Sequence, residues 1–130
     1  MTLAVVGELS LIQCPFGTEP SPLTVLPDRT ILAEGMLMGN ITDMITIVNI
    51  PTFGECTTLS NPETEAATDA ASGVLTPMPC IPVITDVWES EALTVIATEG
   101  SALDQTSIIL CDYGGVIFVD EPGNVTIMVP

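Results

Sequence analysis

The chain has 130 residues, and its 17 Asp and Glu residues against one Arg give it a formal net charge of −16. Such a charge repels phosphate backbones and anionic lipid headgroups, so we expect neither nucleic-acid binding nor stable membrane association. Thr, Ile and Val supply 42 of the residues, and these β-branched side chains favour strands over helices. The composition therefore predicts one mainly β domain over residues 1–130.

The N-terminal segment, residues 1–14, contains a short apolar run but no basic n-region and no small-residue cleavage pattern. It therefore predicts no signal peptide. No segment of the sequence reaches the roughly 18 uninterrupted apolar residues that span a bilayer. We expect a soluble protein that is made in the cytoplasm.

Proline and glycine divide the chain into short apolar segments whose length is typical of strands. Many short strands separated by turns predict a sandwich, a barrel or a prism. In chain order, the predicted strands cover residues 9–14, 23–26, 45–50, 80–85, 93–98, 107–111, 115–120 and 125–129.

One segment instead predicts a helix, at residues 62–72. Asn61 is a good N-cap, Pro62 suits the first helical position, and Gly73 suits the position after the last turn. The alanines of this segment give it only a thin apolar face. We expect a surface helix between β elements, with no chemistry of its own.

A weak internal repeat is visible when residues 10–17, SLIQCPFG, are aligned with residues 107–114, SIILCDYG. Both contain Ser, apolar positions, Cys, an aromatic residue and Gly in the same order. The segment FGEC at 53–56 is an inverted echo, because its aromatic residue and glycine precede the cysteine. Such repetition predicts elements arranged around a common axis.

The composition excludes most nucleophilic catalysis. The chain has no His and no Lys, so Ser-His, Cys-His and Ser-Lys pairs cannot form. Gly114 and Gly115 precede a predicted strand, which favours a tight turn over a phosphate-binding loop. Paired carboxylates could still hydrolyse glycosides, but Trp88 and Tyr113 provide few aromatic rings for a sugar cleft.

The four cysteines are the most informative residues: Cys14, Cys56, Cys80 and Cys111. They could be buried free thiols, they could form two disulfides, or they could bind one tetrahedral Zn²⁺ as four thiolates. Their spacing lacks the close C-x-x-C pairs that identify a zinc site. The spacing alone leaves the three alternatives open.

Four segments in a fixed order carry a resemblance to a known family: IQCPFG, NIPTFGECTTLSNP, GVLTPMPCIPVI with Trp88 soon after it, and SALDQTSIILCDYGGVIF. Together they span roughly residues 9–119. This order resembles the PAAR-like proteins, a bacterial family related to the PAAR-repeat spike-tip proteins.

The resemblance implies a small conical or prism-like β fold that sharpens the central spike of a contractile injection machine. Such machines include type VI secretion systems and extracellular phage-tail-like particles. It implies a non-enzymatic protein, one copy per trimeric spike, that is ejected with the spike and could carry effectors. A chain that sits on a three-fold partner is best matched when it repeats internally in a three-fold manner.

The resemblance also bears on the cysteines, since PAAR-repeat tips hold a metal mostly through histidine. This chain has no histidine, so carry-over leaves Cys14, Cys56, Cys80 and Cys111 as ligands of one structural metal ion, zinc or alternatively iron. Gly17, Gly54, Gly114 and Gly115 would permit the turns between strands. The alternatives are a carboxylate-dependent glycan hydrolase or sugar-binding module, and a disulfide-stapled secreted binding module.

Overall fold

The computed structural model describes residues 2–7, 9–25, 32–33, 36–89, 96–97, 100–124 and 128–129. These residues form short strands and one helix, in the order β1 (Thr2–Leu3), β2 (Leu11–Gln13), β3 (Leu32–Ala33), β4 (Met36–Leu37), β5 (Glu55–Cys56), α1 (Pro62–Ala70), β6 (Met78–Pro79), β7 (Ile96–Ala97), β8 (Gly100–Ser101), β9 (Ile108–Leu110), β10 (Val116–Glu121) and β11 (Met128–Val129). The fold is mainly β, as the sequence predicts. Within the described part of the chain, no helix is long and apolar enough to cross a membrane.

The strands pair in small antiparallel sheets. The largest has the order β2-β10-β9, so the longest strand, β10, lies between the other two. Three two-stranded sheets, β1-β11, β3-β4 and β7-β8, are here called the arms, and a further pair joins β5 to β6. The central sheet contributes Ile12, Ile109 and Ile117 to a core that also contains Phe53 and Trp88.

In each arm, one strand is called inner (β1, β4 and β8) and its partner outer (β11, β3 and β7). A closed triangle of backbone hydrogen bonds links the three segments that follow the inner strands. The N–H of Val5 donates to the carbonyl of Leu103 at 3.0 Å, the N–H of Leu103 to Gly39 at 3.0 Å, and the N–H of Gly39 back to Val5 at 2.9 Å. All three residues are buried. We call this arrangement the backbone triangle.

The pairing around the triangle is three-fold. In each case the residue before one corner bridges the residue after another corner, in the pairs Ala4 with Asp104, Met38 with Val6, and Ala102 with Asn40. The arms also share one register, because the residue two positions before each corner pairs with an outer strand: Leu3 with Met128, Leu37 with Leu32, and Ser101 with Ile96. The chain therefore contains three equivalent segments around one axis.

Two of the three segments repeat the same side-chain-capped turn after the triangle. Asn40 Oδ1 accepts the N–H of Thr42 at 2.8 Å, and Asp104 Oδ1 accepts the N–H of Thr106 at 3.1 Å. These bonds close equivalent Asx turns, which side chains of Asn and Asp favour.

The helix and three strands are predicted well. α1 begins at the predicted residue, and Asn61 Oδ1 accepts the N–H of Glu63 at 3.0 Å as an N-cap. The helix ends at Ala70, just before Ser72 and Gly73, which both have positive φ angles. The predicted strands 9–14, 107–111 and 115–120 contain β2, β9 and β10.

The predicted strand at 45–50 is wrong. The chain folds back there, because the N–H of Asn49 donates to Ile45 at 2.8 Å and the N–H of Ile47 donates to Ile50 at 2.8 Å. Ile47 has a φ of 71°, which is rare for a β-branched residue.

The predicted strands at 80–85 and 23–26 are also wrong over their described residues. In the first, Cys80 donates to Gly54 while the carbonyls of Pro82 and Val83 accept from Thr46 and Asp112. Such scattered partners cannot build a ladder, and Pro82 has no N–H to donate. In residues 23–25, Leu23 and Val25 are buried without a strand.

Two further predicted strands fall partly outside the described residues. Of 93–98 the structure describes β7, and of 125–129 it describes β11. The prediction missed β1, β3, β4, β5, β6 and β8, which have two residues each.

A buried serine marks where the repeat is imperfect. In the third segment, Ser107 Oγ donates to Asp104 Oδ1 at 3.0 Å. The sequence repeat makes Ser10 the equivalent of Ser107 and Gly7 the equivalent of Asp104, so no carboxylate stands at that position. Among the buried side-chain polar atoms of the described residues, Ser10 Oγ is accordingly the one that has no hydrogen-bond partner.

This difference predicts opposite effects of one substitution at two equivalent positions. Ser107→Ala removes two hydrogen bonds with Asp104, and we expect it to lower the free energy of unfolding by about 1–3 kcal/mol. Ser10→Ala removes an unsatisfied hydroxyl, so stability should stay the same or rise. Urea unfolding of both variants measures this, and equal losses would contradict the structural repeat.

Candidate thiol site

Two of the four cysteines end equivalent strand-and-turn units. Cys14 follows β2 and Cys111 follows β9, the two strands that flank β10. In each unit the glycine three residues later donates its N–H to the cysteine carbonyl, Gly17 to Cys14 and Gly114 to Cys111, both at 2.9 Å. The repeat seen in the sequence is therefore also a repeat of local structure.

The other two cysteines lie on the β5-β6 pair. Cys56 is opposite Met78, and the N–H of Cys80 donates to Gly54 at 2.8 Å. The two cysteines are therefore diagonal neighbours on one face of the pair. A bridge between Gly17 and Cys56 joins this pair to the turn that follows Cys14.

The four thiols, here called the thiol cluster, are all free and all buried, with 3–7% of each residue exposed. They belong to one hydrophobic core cluster together with Phe53 and Trp88. The structure thus brings together the four residues that the sequence singled out. No disulfide joins any two of these four cysteines.

Gly115 makes this close approach possible. A Cβ atom on Gly115 would lie 2.5 Å from the Sγ of Cys14 and 3.9 Å from the Cβ of Cys111. The first distance is far below van der Waals contact, so no larger residue fits without displacing the sulfur. Gly114 serves a different purpose, because its φ of 92° forms the turn. The sequence predicted a turn for both glycines, and it missed the steric role of Gly115.

Burial raises the pKa of the Cys14 thiol, while backbone hydrogen bonds at Phe16 and Gly17 oppose this and charge on Cys111 and Cys56 adds to it. Burial likewise raises the pKa of Cys80 to about 12, opposed by a backbone hydrogen bond at Phe53, and charge on the other three cysteines raises it further. The neighbouring cysteines are therefore close enough to influence the ionisation of Cys14 and Cys80. At neutral pH Cys14 and Cys80 are thiols and not thiolates.

Backbone amides also face the sulfurs. The N–H of Val83 donates to the Sγ of Cys111 at 3.4 Å, and Phe16, Gly17 and Phe53 provide the contacts to Cys14 and Cys80. Hydrogen bonds of this kind favour a thiolate, the form that binds metals. Sequence reasoning did not identify Val83, because nothing in its local pattern indicates that its amide points at a sulfur 28 residues away.

The described side chains do not form a ready metal site. No group of three or more Cys, Asp or Glu residues within the described ranges is placed so that it could hold a metal ion. Donor chemistry suits zinc or iron, since four thiols are available without imidazole. The positions of these donors in the described structure, however, do not suit a bound metal ion.

The most deeply buried carboxylates have structural roles. Asp43 Oδ2 accepts the N–H of Asn40 at 2.8 Å, and the Asp43 carbonyl accepts from Trp88 Nε1 at 2.8 Å. Asp104 closes the turn that follows the triangle. Neither carboxylate needs a catalytic role to explain its burial.

We expect Gly115→Ala to expose the thiol cluster. The added methyl group would force the Cys14 sulfur aside and lower the free energy of unfolding by about 1–3 kcal/mol. Alkylation of the native protein by iodoacetamide should then be faster at Cys14, as followed by peptide mass spectrometry.

Gly73→Ala is the control for the steric effect, since an added Cβ there would meet nothing within 4 Å, although Gly73, unlike Gly115, has a positive φ. It should cost only backbone strain, about 1–2 kcal/mol, and leave thiol reactivity unchanged. Equal alkylation rates in the two variants would show that Gly115 does not protect the cluster.

Comparison with known proteins gives one result. No curated protein and no solved structure matches the chain. Residues 6–124 match the model of a family described as a domain of unknown function, DUF4280. Because this match covers most of the sequence, including the thiol cluster and two of the three triangle corners, Gly39 and Leu103, the chain belongs to the DUF4280 family.

Proposed function

We propose that the protein is a structural tip that caps the trimeric central spike of a contractile injection system, such as a type VI secretion system or an extracellular phage-tail-like particle. One copy would sit on each trimer. It would assemble in the cytoplasm, leave with the spike, aid membrane puncture and carry effectors where these are attached. The proposal involves no catalysis. The resemblance to PAAR-like proteins first suggested this role.

The backbone triangle is the observation that supports the proposal best. A single chain can contact three identical subunits equally only if it presents three similar surfaces. The three-fold strand pairing of the arms around the buried triangle supports such a match.

In this proposal, the arms are the part of the protein that contacts the trimer. Leu3 and Leu37 occupy equivalent positions there, next to their outer strands. At the thiol cluster the symmetry is broken, because α1 packs beside β6. The hydroxyl of Thr64 in α1 donates to the backbone carbonyl of Cys56 at 2.9 Å. Among the described residues, the three-fold match is seen at the triangle and the arms.

Capture by candidate spike trimers tests the proposal. Native mass spectrometry should find one copy of this chain for every three spike chains, and a spike variant that cannot trimerise should not bind. Ile81→Glu alters an exposed position beside the thiol cluster and should leave capture unchanged. A complex with three copies per trimer, or binding to monomeric spike chains, would contradict the proposal.

The proposal also includes one structural metal ion, zinc or iron, at the thiol cluster. Its support is the donor chemistry of the four buried cysteines alone, since the described side chains are not arranged to hold an ion. A metal bound there would cross-link segments that are distant in sequence and add to their stability.

Elemental analysis of protein purified without added metal should find close to one zinc or iron per chain. Cys111→Ser should lower both the metal content and the melting temperature, whereas Ser60→Ala at an exposed position should change neither. A protein that contains no metal, with Cys111→Ser as stable as the parent, would remove the metal from the proposal and leave the tip function standing.

A further inference from the structure

We propose that the outer strands of the three arms, β3, β7 and β11, are docking edges, to each of which one chain of the spike trimer adds a strand. This inference rests on the proposed function and specifies how that partner binds. It concerns the backbone, because a sheet edge is recognised through its N–H and C=O groups.

The order of strands in each arm makes β11, β3 and β7 the outer members of their pairs. On one face, β1 lies between β11 and the segment that contains Asp104, since Leu3 pairs with Met128 and its carbonyl accepts the N–H of Gln105 at 3.0 Å. On the next face, Leu37 pairs with Leu32 and its carbonyl accepts the N–H of Gly7 at 2.9 Å. Each outer strand is thus the last strand of its face among the described residues.

The hydrogen bonds also show which residues point outward. In an antiparallel pair, the N–H and C=O of one residue point to the same side, and hydrogen-bonded pairs alternate with non-hydrogen-bonded pairs. The carbonyls of Leu3 and Leu37 bond away from the outer strands. Their partners Met128 and Leu32 therefore belong to non-hydrogen-bonded pairs and point their own N–H and C=O groups outward.

The same register places Ile96 in this position on the third arm, opposite Ser101. Leu32, Ile96 and Met128 thus offer three equivalent donor and acceptor pairs around the axis. A trimer is the partner that matches this number, since each of its chains can supply one strand to one edge. A monomeric partner would leave two edges unused.

Proline substitutions separate the outward residue of an edge from the inward one. Leu32→Pro removes an outward N–H, so it should leave the melting temperature nearly unchanged and weaken binding to the captured trimer roughly three- to tenfold. Ile96→Pro and Met128→Pro should do the same. The control Ala33→Pro removes an inward N–H that serves the pair with β4, so it should lower the melting temperature.

Hydrogen exchange on the complex gives the second readout. The complex is formed with the spike trimer that captures the parent chain. In it, the amides of Leu32, Ile96 and Met128 should exchange at least about tenfold more slowly than in the free protein. Amides of β9 should not change. A one-to-three complex in which these edges gain no protection, and in which Leu32→Pro binds normally, would overturn the edge mechanism alone. Failure of every trimer to bind would overturn both proposals.

Discussion

The closed backbone triangle of Val5, Gly39 and Leu103 is the constraint on which the rest of the structure depends. Each corner donates one hydrogen bond and accepts another, so three segments far apart in sequence hold one another in place. Buried backbone groups must find partners, and here those partners come in a ring. Because side-chain volume near the axis is limited, one corner is a glycine, where an added Cβ would lie 3.1 Å from Leu23 and 3.3 Å from Leu103.

The thiol cluster joins the central sheet to the β5-β6 pair by different means. Four small apolar side chains fill a crowded space between the central sheet and the β5-β6 pair, and Gly115 leaves room for the sulfur of Cys14. Their burial keeps Cys14 and Cys80 protonated. Without a bound metal, these two residues therefore add no negative charge to a chain whose carboxylates already repel one another.

Local signals in the sequence predicted α1, β2, β9 and β10 and singled out the four cysteines, because caps, apolar runs and rare residues act over a few positions. The arms could not be predicted in this way. Each of their strands has two residues, and pairs such as Thr2 with Val129 depend on the closure of the whole chain. The apolar run at 45–50 misled the prediction because the side chain of Asn49, bonded to Thr24, folds that run back on itself. The role of Gly115 depends on a sulfur that lies far away in sequence.

Native-state hydrogen exchange at the amides of Val5, Gly39 and Leu103 tests the account most directly. If the triangle holds the fold together, all three amides should exchange only through global unfolding, with one common free energy equal to that measured by urea. If any one of them exchanges as fast as a surface amide while the other two stay protected, the triangle is not closed in solution and the three-fold account fails.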